Sequence, residues 1–162
     1  GILFKEAMGD NIVTQNYATL IELPESRKAK KPIFTELEIK KIEKASQDGD
    51  TWANTILILI YTGMRVGELL TLTKFNVDME NMIITGGIKT DAGKDRAVPI
   101  HGKIKEYVKY WYDRPCSYLI DRNSQKISVD YYRSSIFYPA LDRLEMERKD
   151  RKIGRASCRE RV

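Results

Sequence analysis

The stretch Tyr61–Leu70, which reads YTGMRVGELL, most constrains what this chain can fold into. An apolar run, Ile56–Ile60, leads into it, and apolar residues return at helical spacing after Gly63, at Val66, Leu69 and Leu70. A glycine between two such patterns indicates that one helix ends and another begins. The stretch therefore predicts two consecutive helices joined by a turn at Gly63.

A cation and an anion follow this turn at close spacing. Arg65 is expected in the first turn of the second helix, where unpaired backbone N–H groups and the helix dipole attract anions. Glu68 lies three residues later on the same helix face, so that its carboxylate can brace the guanidinium. A braced cation beside a glycine suits a phosphate group, although an ion pair with a purely structural role fits the same pattern.

The helical segments predict a mainly α-helical fold. Thr35 is expected to cap a helix that carries Glu36 and Glu38 in its first turn. Trp52–Tyr61 is apolar on all sides, which favours a buried helix, with a buried strand as the alternative. Later helices are predicted at Lys103–Tyr112 and from Ser128 to Met146, the second interrupted near Pro139.

A small three-stranded antiparallel sheet makes the predicted fold class α+β. Its strands are expected at Met82–Thr85, Ile88–Thr90 and Arg96–Ile100, with a hairpin turn at Asp91–Lys94. Residues 74–81 are expected to form a connection, and residues 118–120 a short strand or a buried extended segment. Three cations accompany the hairpin, at Lys89, Lys94 and Arg96. They fit either a charged sheet edge that resists aggregation or a cationic finger laid against phosphate.

The segment Glu22–Pro32 is bounded by prolines, lacks apolar periodicity and carries four cations, Arg27, Lys28, Lys30 and Lys31. We expect a linker, which serves either as a solvated connection or as a strap along a nucleic-acid backbone. The formal net charge of the chain is +5, which favours a polyanionic partner.

Several classes of protein are disfavoured by composition. The chain has one histidine and two cysteines at no ligand spacing, which argues against a metal site and a disulfide framework. No apolar run has membrane-spanning length, so we expect no membrane association and a cytoplasmic location. No cofactor or metal is expected.

Both ends of the sequence indicate a fragment. The chain starts with glycine, and its last ten residues, Ile153–Val162, read IGRASCRERV without apolar periodicity. This string resembles the translation of a sequencing adapter, in which case it is not part of the natural protein; the alternative is a genuine basic tail. It contributes three arginines and one glutamate, so that without it the net charge falls from +5 to +3.

Three motifs in order carry a resemblance to a known family. T-G-M-R-V-G-E-L-L is followed about twenty residues later by I-K-T-x-x-G-K-x-R-x-V-P-I and then by F-Y-P-A-L-D-R-L. Together they resemble the catalytic domain of tyrosine recombinases of the phage integrase family. The resemblance implies the fold of the DNA breaking-rejoining enzymes, in incomplete form. It divides the chain into the end of a core-binding domain (1–21), a basic linker (22–32), the first part of the catalytic domain (33–152) and a non-native tail (153–162).

The resemblance also assigns roles to residues. Arg65 becomes the first catalytic arginine, Glu68 its supporting acid, and Lys89 the hairpin lysine that protonates the leaving 5′-oxygen. Further contacts with double-stranded DNA are implied for Thr62, Gly63, Lys94, Arg96, Lys28, Lys30 and Lys31. In this family a tyrosine attacks the DNA and forms a 3′-phosphotyrosyl link. Arginines, which stay charged and bind two phosphate oxygens at once, stabilise the transition state in place of a metal.

The sequence departs from the family after Arg148. The second family box, H-x-x-R, and the late nucleophilic tyrosine are both expected there and are absent, so no nucleophile is assigned in this chain. His101, at the end of a predicted strand, reads as a surface or capping histidine. We therefore expect a fragment of a phage or mobile-element recombinase that is inactive alone and that works as a homotetramer on paired sites at full length. The alternatives are a non-catalytic DNA-binding or regulatory protein on the same scaffold and an unrelated basic helical domain.

Overall fold

The computed structural model describes residues 2–20, 34–86 and 96–146. The chain divides into two compact units, residues 1–30 and 31–162. In the first unit, helix α1 (Ile2–Gly9) has no buried residue, and a short 3₁₀ turn (Tyr17–Leu20) follows it. No helix within the described residues is long and apolar enough to cross a membrane.

The second unit begins with two capped helices. Helix α2 (Glu36–Gln47) starts at Thr35, whose hydroxyl accepts a hydrogen bond from the Glu38 N–H, while the Glu38 carboxylate accepts from the Thr35 N–H. This reciprocal arrangement pairs two N–H groups that have no partner within the helix. Helix α3 (Thr51–Thr62) is buried along most of its length, which confirms the predicted buried helix and makes the strand alternative wrong.

Helix α3 ends at Gly63, and α4 (Val66–Leu69) follows after two residues. Gly63 has φ +64° and ψ 15°, a left-handed conformation that costs a residue with a Cβ atom about 1–2 kcal/mol. Its N–H donates to the Leu59 carbonyl at 3.0 Å and closes the last turn of α3. The predicted break between two helices is therefore confirmed, and α4 is a single turn.

The described sheet has three antiparallel strands in the order β1 (Val77–Asp78), β2 (Ile83–Gly86) and β3 (Arg96–Pro99). The three-stranded sheet is thus confirmed, but one of its described strands was not predicted. Val77–Asp78 forms an edge strand, whereas the sequence indicated a connection there, because two residues are too few to show an alternating pattern. The predicted strand Ile88–Thr90 lies outside the described residues.

The chain then continues through helix α5 and a second small sheet. Helix α5 (Lys105–Tyr112) follows a 3₁₀ turn (Gly102–Ile104). The two elements together correspond to the helix predicted at Lys103–Tyr112. The segment 118–120 forms no strand: Tyr118 makes one isolated antiparallel bridge to Thr73, and Leu119 and Ile120 are buried. Strands β4 (Asp121–Arg122) and β5 (Gln125–Lys126) then pair around a two-residue turn with positive φ at both positions, a hairpin that the sequence did not reveal.

The last described helical segment runs through α6 (Val129–Tyr131), a π-helical stretch (Tyr132–Phe137) and α7 (Tyr138–Arg143). Ser128 caps its start, as predicted. The interruption expected near Pro139 is the π-helical stretch, which ends directly before α7, and Pro139 lies at the start of α7. Proline lacks an N–H and crowds the preceding turn, and the wider π-helical turn before it accommodates both effects.

Candidate functional site

The turn between α3 and α4 is fixed from its buried side. The hydroxyl of Thr62 donates to the Ile58 carbonyl at 2.6 Å and accepts from the Met64 N–H at 3.3 Å. Met64 is only 1% exposed. With Gly63 in the left-handed conformation, these contacts determine the direction in which the chain leaves the turn. They place the next residue, Arg65, at the protein surface.

Arg65 precedes α4 as its N-cap residue, with an extended backbone at φ −75° and ψ 151°. Arg65 was expected within the first turn of this helix, but it lies one residue before the helix begins. The Glu68 carboxylate accepts the Arg65 backbone N–H at 2.9 Å with Oε2 and the guanidinium Nη1 at 2.9 Å with Oε1. The predicted bracing of Arg65 by Glu68 is confirmed. The Arg65 side chain is 45% exposed and that of Glu68 only 11%.

The base of the predicted hairpin lies against this turn. Gly86, at the end of β2, pairs with Arg96 at the start of β3. A Cβ atom on Gly86 would lie 2.9 Å from Cδ2 of Leu72 and 3.7 Å from Cε of Met64. Met64 comes directly before Arg65, and Leu72 comes shortly after α4. The end of β2 therefore lies close to both ends of the segment that carries Arg65.

The structure brings together only part of the residues that the sequence singled out. Arg65, Glu68, Gly63 and the exposed Arg96 belong to this neighbourhood. Thr62 is 4% exposed and its hydroxyl bonds within the fold, so the DNA contact implied for Thr62 stays a prediction that its burial does not favour. The remaining predicted residues lie outside the described ranges: Lys28, Lys30, Lys31, Lys89 and Lys94.

One cluster near α3 was not anticipated. The ring of Tyr61 stacks on His101, with 5.2 Å between centroids and 23° between planes. The Tyr61 hydroxyl donates to Glu43 at 3.3 Å, and Lys103 Nζ lies 5.8 Å from the ring centroid. His101 Nδ1 accepts the Lys103 N–H at 3.2 Å, which confirms the capping histidine. No local pattern indicates the stacking, because forty residues separate the two rings.

The chemistry that this neighbourhood offers is the binding of an anion. A guanidinium presents five N–H donors in a plane and can bind two phosphate oxygens at once. Glu68 uses only part of that capacity, since a single guanidinium nitrogen contacts it. Among the side chains that the structure describes, no three His, Cys, Asp or Glu residues form a group that could hold a metal ion.

The family model described as "Phage integrase family" matches residues 32–139, which is more than half of the chain. The chain belongs to the phage integrase family. No curated protein matches it. The family assignment includes the turn, Arg65, Glu68 and the predicted hairpin, since all of them lie within the matched residues.

Solved structures of integrases share the fold. A lambda integrase dimer bound to a COC′ core site is 19% identical, with a TM-score of 0.70, and the match covers 90% of this chain and 55% of that one. The Tn1549 transposon integrase in complex with circular intermediate DNA is 17% identical, with a TM-score of 0.66 and coverages of 88% and 54%. The XerA recombinase is 22% identical, with a TM-score of 0.60 and coverages of 78% and 47%. The chain thus spans about half the length of these structures and has the fold of their catalytic domain.

Proposed function

We propose that this chain supplies half of the active site of a site-specific DNA recombinase, and that its substrate is double-stranded DNA. The observation that carries the proposal is the exposed guanidinium of Arg65, which Glu68 braces from behind at the break between α3 and α4. Two of the similar structures are integrases bound to a core site and to circular intermediate DNA, which supports DNA as the partner.

Arg65 binds the scissile phosphate in this proposal. The reaction passes through a phosphorane-like transition state with additional negative charge on the phosphate oxygens. A guanidinium can bind two of these oxygens and stays charged at any working pH. Glu68 orients Arg65 and does not touch DNA. Gly63 lets the DNA backbone approach the turn closely, because it has no side chain.

Lys89 protonates the leaving 5′-oxygen. Lys89 follows Gly86, the last residue of β2, by three positions in the sequence. Gly86 in turn lies against Met64, the neighbour of Arg65. Lys94 and Arg96 add phosphate contacts on the same hairpin. The basic linker, with Lys28, Lys30 and Lys31, follows the DNA backbone between the core-binding domain and the catalytic domain.

The nucleophile is a tyrosine that forms a 3′-phosphotyrosyl link, which conserves bond energy for rejoining. We assign no tyrosine of this chain to that role. Tyr132, for example, is fully buried, and its burial raises the pKa of its hydroxyl. The chain alone is therefore proposed to be inactive. At full length we propose a homotetramer on paired sites, as for the lambda integrase tetramer bound to a Holliday junction.

The phosphate-binding role is tested by titrating this chain with duplex DNA at several salt concentrations. Arg65→Gln is expected to weaken binding several-fold and to reduce the salt dependence by about one phosphate contact. Arg65→Lys keeps the charge but loses the planar fork, so it should keep the salt dependence and lose part of the affinity. Lys109→Gln is the matched control, because Lys109 lies on α5 and pairs with Asp113. Equal effects of Arg65→Gln and Lys109→Gln would refute the proposal.

A non-catalytic DNA-binding or regulatory protein on the same scaffold is the second candidate. His101 serves as a helix cap, so we do not assign it to an H-x-x-R box. A nicked suicide substrate tests the inactivity of this chain, since any covalent protein–DNA adduct would contradict it. The downstream coding sequence separates the two candidates. An H-x-x-R box and a late tyrosine there would support the recombinase, and a natural stop before them the binding protein.

A further inference from the structure

Gly86 has no conformational need to be glycine. Its φ lies outside the left-handed region, so its backbone is one that any residue can adopt. The constraint is space. A Cβ atom at this position would lie 2.9 Å from Cδ2 of Leu72, closer than real Cβ atoms approach other heavy atoms, and 3.7 Å from Cε of Met64.

The two side chains that lie against Gly86, those of Leu72 and Met64, have little room to move. Leu72 is 3% exposed and Met64 is 1% exposed, so both side chains lie within the packed core. The atom that the Cβ would meet is the end of the Leu72 side chain, and it can move aside only by a rotation of that side chain within the packed core. Since a close-packed interior resists displacement, an added methyl group would move the end of the strand instead.

We infer that Gly86 is a positioning residue, which sets the distance between the base of the hairpin and the turn that carries Arg65. The inference rests on the proposed function, because that distance matters only if the two elements grip the same DNA. A displacement at Gly86 passes directly to Arg96, its partner in the ladder.

The variant Gly86→Ala tests this inference, with Gly102→Ala as the matched control. Gly102 also has an ordinary φ, and a Cβ atom there would meet no heavy atom within 4 Å. In duplex DNA titrations at several salt concentrations, Gly86→Ala should weaken binding by about three- to tenfold and remove about one phosphate contact from the salt dependence. Gly102→Ala should bind as the unchanged chain does. A merely structural role of Gly86 would lower the unfolding midpoint and leave the salt dependence unchanged.

Leu72→Val supplies a rescue, because valine lacks the Cδ2 atom that the new methyl group would meet. The double variant Gly86→Ala, Leu72→Val should recover the salt dependence and most of the affinity. If Gly86→Ala is too unstable to titrate, the double variant is compared with Leu72→Val alone. Equal binding of those two supports the inference, and weaker binding of the double variant overturns it.

Two further variants separate failure of the inference from failure of the proposed function. If Arg65→Gln and Lys89→Gln both weaken DNA binding while Gly86→Ala binds normally, the inference is overturned and the proposed function stands. If neither Arg65→Gln nor Lys89→Gln changes DNA binding, the proposed function fails, and the inference fails with it.

Discussion

The carboxylate of Glu68 holds Arg65 at two points, the backbone N–H and the guanidinium Nη1, each at 2.9 Å. One contact fixes where α4 begins, and the other fixes the direction of the side chain. Because Glu68 is largely shielded and Arg65 is 45% exposed, the acid lies behind the cation and leaves its outer N–H groups open to solvent. The pair therefore orients a positive charge at the surface instead of hiding it.

Replacing Glu68 separates these two contacts. Glutamine keeps an oxygen that can accept the Arg65 backbone N–H, as in a capping box, whereas alanine loses both contacts. We expect Glu68→Ala to lower the free energy of unfolding by about 1 kcal/mol and Glu68→Gln by less than about 0.5 kcal/mol. Urea denaturation followed by circular dichroism measures both. Equal losses would mean that the backbone contact contributes nothing.

Thr62 is expected to act through the fold. Thr62→Val removes a buried hydroxyl that has two hydrogen bonds and should cost about 1–2 kcal/mol of stability. Thr62→Ser keeps the hydroxyl and should stay closer to the unchanged chain. Neither variant should alter the salt dependence of DNA binding once the protein is folded. A weaker DNA affinity of folded Thr62→Val, with Thr62→Ser binding as the unchanged chain does, would support the direct DNA contact that the family resemblance implied.

Asp121 should make the protein sensitive to acid. Its carboxylate accepts from Arg114 Nε at 2.7 Å and from the Ser124 N–H at 2.8 Å. These bonds, that of Arg114 first, hold the pKa of Asp121 below its ordinary value, although burial opposes them. Since the folded pKa is lower than the unfolded one, the stabilisation is present above about pH 4 and is lost as the pH falls through the folded pKa.

Asp121→Asn tests this pH dependence. Because Arg114 is partly exposed, we expect a loss of only about 1–2 kcal/mol at pH 7. The gap in stability between variant and unchanged chain should narrow below about pH 4, because the unfolded chain is protonated at Asp121 there before the folded chain is. Urea unfolding at pH 7, 5 and 3 measures it. A gap that stays constant across this range would show that the charge of Asp121 is not what stabilises the hairpin β4–β5.

Tyr132 should make the stability of the protein fall at alkaline pH, whereas Asp121 makes it fall at acid pH. Its hydroxyl lies 2.7 Å from Thr55 Oγ1, which itself donates to the Trp52 carbonyl, so Tyr132 is the donor in the pair. Burial raises the pKa of Tyr132, and the hydrogen bond between Tyr132 and Thr55 opposes this shift. Stability is therefore fully present below the unfolded pKa of about 10 and is lost as the pH rises beyond it.

Tyr132→Phe is expected to cost about 1 kcal/mol near neutral pH, the typical value of a buried hydrogen bond. Above about pH 10 the deficit should shrink, because phenylalanine has no proton to lose. Thermal unfolding between pH 7 and pH 11 measures this. Tyr138→Phe is the control, since Tyr138 lies in the same helical segment and is partly exposed. Equal alkaline behaviour of the two variants would contradict the assignment.

Local signals in the sequence found the helices correctly. Thr35 with Glu38 marks the start of α2, Ser128 caps α6, and Gly63 ends α3, because caps and left-handed turns depend on residues within one helical turn. Arg65 and Glu68 are also within one helical turn of each other, which is why their ion pair could be predicted from the sequence. Longer-range pairings were less visible. Strand β1 and the hairpin β4–β5 are two residues long, which leaves no alternation to detect.

The sequence by itself determined that an arginine follows a helix break and that an acid three residues later can brace it. Only the tertiary structure decided that Thr62 is turned inward and that His101 stacks on Tyr61. It also decided that Gly86 lies against Met64 and Leu72. The physical reason is distance along the chain. Helix caps arise from neighbouring residues, whereas the close approach of a strand to a turn twenty residues away depends on how the whole core packs.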